Sequence, residues 1–170
     1  MGNDKTPLTS PQVFSYNGIF EPDVLHASLK DFLEVDRNYD ITENEVNEVR
    51  KDDFLSISTE FDGIIHLTDY IEFQIYVQLD VEGNDKVVTD NNGAEHRYIE
   101  GSAKMKIFSF ITQNDNNMNH SAPIVEFFRR VYNAYFNNSE MKLLKDRSEK
   151  DVKDTITRFK QLTNMSTQRL

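Results

Sequence analysis

The sequence predicts an α+β domain of two layers: an antiparallel meander sheet of four to six strands, one helix after the first strand, and two C-terminal helices packed on one face. Three observations carry that expectation. Ile71, Phe73, Ile75, Val77, Leu79 and Val81 alternate strictly with Glu72, Gln74, Tyr76, Gln78 and Asp80, the period-two pattern of a strand with one buried face. The apolar segments on either side alternate as well, and their connections are too short for parallel crossovers. Apolar residues at helical spacing recur before and after this strand-rich middle, so the helices are segregated from the sheet along the chain.

In chain order, residues 1–11 are polar, carry Pro7 and Pro11, and are expected to form a disordered lead to a single domain spanning 12–163. Val13, Phe14 and Tyr16 make a short first strand, and Asn17-Gly18 is a turn signal before Phe20. Pro22 suits a first helical turn, Glu21 and Asp23 suit the positive end of a helix dipole, and Leu25, Leu29, Phe32 and Leu33 recur at helical spacing as far as Val35. Tyr39 to Val49, then Leu55, Ile57, Thr59 and Phe61, and finally Ile99 to Ile111 with Ala103, Met105 and Ile107 on one face, flank the central strand. Lys51-Asp52-Asp53, Asp62-Gly63, Glu82-Gly83-Asn84-Asp85 and Asp90-Asn91-Asn92-Gly93 read as reversals, with Val87-Val88 a short strand between the last two.

After Gln113 an Asn-rich loop through His120 leads to Ser121 as N-cap and Pro123 at an early helical position. An apolar stripe of Ile124, Phe127, Phe128, Val131, Tyr132 and Tyr135 follows. The last helix opens at Ser148, with Asp151 three residues on, and runs through Val152, Ile156, Phe159 and Leu162; residues 164–170 are expected to fray. A curved sheet wrapped around the aromatic helix would be the helix-grip version of this class.

Composition narrows function by exclusion. A chain of 170 residues suffices for one domain that buries roughly two thirds of its unfolded surface. The absence of cysteine removes thiol nucleophiles, iron–sulfur clusters, thiolate zinc and disulfides. A formal net charge of −10, spread along the chain, repels phosphate backbones, so no nucleic-acid partner is expected. Arg129-Arg130 with Lys142, Lys145 and Arg147 is read as a solvated face. The first residues have no basic and apolar leader pattern, and no apolar window has the length of a membrane span. A cytoplasmic protein with no membrane partner is expected, or a virion protein if the source is viral.

No motif assigns chemistry. His26, His66, His96 and His120 are scattered, none at metal-ligand spacing; His66, near Asp69 and Tyr70, is the one member with any catalytic neighbourhood. The oxygen-rich runs at Asp80-Glu82-Asn84-Asp85 and Asp90 to Glu95 lack the glycine and terminal carboxylate of a calcium loop, and read as turns. Glycine-rich phosphate loops and nucleophile elbows are missing. Catalytic residues, metal ligands and cofactor-binding residues are therefore all expected to be none.

Phe14-Ser15-Tyr16-Asn17-Gly18-Ile19-Phe20, Thr68-Asp69-Tyr70-Ile71-Glu72-Phe73, Gly101-Ser102-Ala103-Lys104-Met105 and Phe128-Arg129-Arg130-Val131-Tyr132 together resemble a family of small single-domain α+β proteins found mainly in archaeal genomes. The resemblance implies one compact domain and brings no assigned activity or functional residues. The Asn-rich loop is longer than the connection it implies.

Two surfaces attract attention instead. Glu72, Gln74, Tyr76 and Gln78 form the polar face of the central strand, and Phe127, Phe128, Tyr132, Tyr135 and Phe136 give the aromatic helix more apolar surface than one face needs. They point to a non-catalytic interaction or assembly module, a homo-oligomer or one subunit of a larger cellular or viral particle, with protein as partner. The alternative is a START-like grip holding a small apolar ligand among Phe73, Ile75, Met105, Phe128 and Tyr132. A hydrolase built on His66 and Asp69 comes third.

Overall fold

A computed structural model describes residues 4–68, 71–89, 93, 95–113 and 140–168. They form an α+β structure whose elements are β1 (Asp4–Pro7), β2 (Gln12–Phe20), α1 (Pro22–Asp31), β3 (Asp40–Lys51), β4 (Phe54–Thr68), β5 (Ile71–Thr89), β6 (Glu95–Gln113) and α2 (Glu140–Gln168). Among the described residues one six-stranded sheet runs β1-β6-β5-β4-β3, with β2 also paired to β6, and every pairing is antiparallel. From β3 to β6 the chain is a meander, each strand pairing with the next.

The alternation read in β5 sets the layers. Phe73, Ile75, Val77, Leu79 and Val81 are buried on the inner face, joined from β6 by Ile99, Ala103, Met105, Ile107 and Ile111. Leu25, Leu29 and Leu33 from the first helix and Val152, Ile156 and Phe159 from α2 belong to the same core cluster. Both helices therefore lie on one side of the sheet, where their single apolar stripes can be removed from water. Phe73, Ile75 and Met105, the expected pocket lining, are fully buried within this cluster, while Phe128 and Tyr132 lie outside the described residues.

α1 opens with Pro at its first turn, where a missing N–H costs nothing, and widens into a π turn over Phe32–Asp36. Asn38 takes a left-handed φ of 59°, and the Tyr39 N–H returns to the Leu33 carbonyl at 3.0 Å, closing the helix end. A two-residue turn at Asp52-Asp53 joins β3 to β4, Asp52 having a φ of 53°.

Several local readings are corrected. Residues 4–7 are a strand on β6 and not part of a disordered lead; Leu8 enters the core and Thr9 is buried, because β6 offers an edge no local pattern reveals. Asn17-Gly18, Asp62-Gly63 and Glu82-Gly83 are not reversals: β2, β4 and β5 run straight through them. Gly18 pairs with Gly101, which pairs on its other side with Gly83, so a row of glycines crosses three strands. A Cβ at Gly83 would lie 2.5 Å from the Glu100 carbonyl oxygen and 2.7 Å from the Gly101 Cα. Glycine serves close backbone approach here, not turning. Val87-Val88 belongs to β5.

α2 already extends from Glu140 through Ser148 and continues to Gln168, past the expected frayed tail. Ser148 is buried, so it is a mid-helix contact and not an N-cap. The helix predicted from Ser121 lies outside the described residues.

Candidate functional site

The two faces of the sheet differ in cover. Glu72, Gln74, Tyr76 and Gln78 project from β5 away from the helices and are half-buried. Register places Tyr76 beside Phe108 of β6 and Asp62 of β4, Gln78 beside Lys106 and Glu60, and Asp80 beside Lys104 and Ser58. Tyr76 and Phe108 rings sit 4.9 Å apart, Phe108 and Phe110 5.8 Å apart, and Lys5 of β1 lies 4.5 Å from the centre of the Phe110 ring. An aromatic row thus crosses an otherwise polar face, with stacking and cation–π geometry.

Most polar groups on this face are bonded to one another. Gln74 donates to Glu72 at 2.8 Å, Ser58 to Asp80 at 2.6 Å, and Gln78 to both Asp80 oxygens at 3.2 and 3.3 Å. Burial, then the hydrogen bond and charge of Glu60, with Asp62 and Asp80 adding, push the Tyr76 phenol well above its ordinary range. Tyr76 is a neutral hydroxyl at any physiological pH, a donor to Glu60 and not a base. At the level of Tyr76 to Asp80, β4 and β5 present the carboxylates and β6 presents Lys104 and Lys106; further along, Glu100 of β6 pairs with Lys86 of β5.

Both edges of the sheet are obstructed. β3 carries Glu43, Glu48, Arg50 and Lys51 and a bulge between Glu43 and Glu45. On the other side β1 and β2 follow the same edge of β6 but are interrupted by Leu8 to Pro11, with Pro7 and Pro11 lacking an N–H. Charge, bulges and proline are the features that discourage strand addition.

Three of the four histidines lie among the described residues. His66 is exposed with Nδ1 3.5 Å from Glu72, and Asp69 and Tyr70 lie outside the described residues. His26 packs edge-on against Phe61, and His96 lies 3.7 Å from the Glu21 carboxylate. His120, Arg129, Arg130 and the aromatic set Phe127, Phe128, Tyr132, Tyr135 and Phe136 are outside the described residues. Among the described residues no group of three or more His, Cys, Asp or Glu side chains converges on a metal position. The run from Asp80 to Asp85 is extended strand, which spaces same-face carboxylates about 6.6 Å apart. Asp85 faces the other way, bound by Arg97 at 3.1 Å and Arg50 at 2.9 Å.

Sequence reasoning missed two buried polar constellations, the first beneath α2. The Asp151 carboxylate is buried, accepts the Tyr39 hydroxyl at 2.9 Å, and lies 3.7 Å from Arg37 Nε and 3.6 Å from Arg147 Nε. Arg37 also bonds Asp154, and Arg147 donates to the Arg37 carbonyl at 3.3 Å. Two cations against two carboxylates leave no net charge for a ligand; the cluster clamps α2 to the end of α1. A second buried node joins Thr9, Ser109 and Ser148: Thr9 Oγ1 lies 2.9 Å from Ser109 Oγ and accepts the Ser109 N–H at 3.0 Å, while the two serine hydroxyls bond each other.

Comparison with known proteins adds no identity. No family model and no curated protein matches the chain, so the resemblance to archaeal proteins rests on the residues quoted for it. Twelve chains of known structure match; among them is a delta-endotoxin, 15% identical over 74% of this chain and 66% of that chain, with a TM-score of 0.35. Just under two thirds of that chain's length is spanned, and a likeness at this score carries no argument. Among the described residues no helix is long and apolar enough to cross a membrane.

Proposed function

We propose that this chain is a non-catalytic interaction module that engages protein through the outer face of its sheet. The supporting observation is the contrast between obstructed edges and a face that, among the described residues, neither helix covers, where an aromatic row is framed by polar groups already bonded to each other. Burying such a face strands few donors or acceptors, which keeps the desolvation cost low. The long α2 packed on the inner face of an antiparallel sheet is what favours a helix-grip description of the fold.

Tyr76→Arg tests this reading, since it puts a charge at the centre of the row without touching the core. Affinity capture from the native source with wild-type chain should recover a defined protein that the variant loses. Identical recovery by both would overturn the assignment of this face.

A further inference from the structure

We infer that the partner across the outer face is a second copy of this chain, forming an isologous dimer; the inference rests on the proposal that this face engages protein. The middle of the face is divided lengthwise by charge, and only toward the Lys86–Glu100 pair does the order of the two strands reverse. Glu60 and Asp62 on β4 and Asp80 on β5 occupy one half, and Lys104 and Lys106 on β6 occupy the other. A two-fold axis running parallel to the strands, between β5 and β6, exchanges the two halves while preserving the level of every residue along the strands. Cross-strand register then gives the contacts directly. Asp80, level with Lys104, meets the partner's Lys104; Tyr76, level with Phe108, meets the partner's Phe108.

An acidic face on a chain of net charge −10 would repel its own copy, and the basic stripe on β6 removes that repulsion where the two copies touch. The aromatic row lies along the seam, where stacked sheets about 10 Å apart interdigitate side chains. Area is sufficient for a modest dimer: four strands about 4.8 Å apart and about ten residues of 3.3 Å each present a footprint of roughly 640 Å², close to the ~800 Å² per partner of standard interfaces. The internal hydrogen bonds of the face favour a flat protein partner over a sugar or another small polar ligand, which would have to break them.

Sedimentation of the full chain from low to high micromolar concentration is the test, with Lys104→Glu, Asp80→Lys and the Asp80→Lys/Lys104→Asp exchange. A wild-type dimer is expected. Each single variant meets two like-charge contacts per dimer and should dissociate at least about tenfold more readily, whereas the exchange should restore association. Melting curves of each variant guard against loss of fold, and the exchange variant remains decisive if one single variant is unstable.

A wild-type monomer throughout the range overturns the inference. A dimer indifferent to all three changes also overturns it. In either case a protein partner captured by wild type and lost by Tyr76→Arg leaves the broader proposal standing. Hydroxyl-radical footprinting supplies the last outcome: Tyr76 and Phe108 equally protected in monomer and dimer means that the chain's own residues 114–139 cover the face, and the inference fails.

Discussion

Replacing Gly101 by alanine puts the glycine row to a quantitative test. An added Cβ at this position would meet the Gly83 Cα at 2.5 Å and overlap the Glu82 carbonyl oxygen, where ordinary contacts lie at 3.4–4 Å. Both obstacles are backbone, so no side chain can rotate away and β5 and β6 must separate by close to an ångström. Overpacking of interiors costs about 1–3 kcal/mol, and backbone collision places this case near ~3 kcal/mol. For a chain of this size that corresponds to a fall of roughly 6–12 °C in melting temperature. Urea unfolding followed by circular dichroism should show a lower midpoint with an unchanged slope. Gly93→Ala is the internal control. Nothing lies within 4 Å of a Cβ there, but its φ of +83° penalises an L-residue by about 1 kcal/mol. The reasoning is refuted if Gly101→Ala is as mild as Gly93→Ala, because the row would then reflect composition and not contact.

Two further expectations concern the clamps at the ends of the chain. Burial, with the adjacent Asp151 carboxylate, holds the Tyr39 phenol far above its ordinary value near 10, so the folded chain keeps a proton that the unfolded chain releases. The resulting stability is present below pH 10 and lost as pH rises beyond it. Tyr39→Phe should cost about 1.5–3 kcal/mol at neutral pH and flatten the alkaline decline, measured as urea midpoints against pH. Removing residues 1–11 exposes the site of Leu8, about 1.5–3 kcal/mol of burial, and leaves Ser109 without Thr9; an unchanged midpoint in the shortened chain would restore the disordered-lead reading.

Legibility tracked the range of the interactions. The alternation from Ile71 to Val81 announced a one-sided strand, and its odd-numbered residues from Phe73 onward are buried under α1 and α2, because period two is a local consequence of the pleat. Polar Gln74, Tyr76 and Gln78 were likewise placed on the face opposite α1 and α2 by alternation alone. Glycine misled where its context was non-local. Asp62-Gly63 resembles a turn, yet a Cβ at Gly63 would sit 2.8 Å from Ile75 Cγ2, on the neighbouring strand. Asp151 read only as a capping residue for Ser148, because its true partner Tyr39 is 112 positions away and is brought to it by the fold alone. Lys104 and Lys106 were in reach, since they alternate with the apolar Ala103, Met105 and Ile107 already assigned inward.

The bond between Thr9 and Ser109 closes a loop of 100 positions and is completed only when Ser148 arrives on α2. During synthesis at ~5–20 residues per second, Leu8 and Thr9 leave the ribosome roughly 5–20 s before the strand that shelters them. Until then, an apolar leucine and an unpaired strand wait in the open. This segment is thus made well before the strand and helix that complete its contacts. Slowing translation between β2 and β6 should lower the yield of native protein even though no residue has been changed.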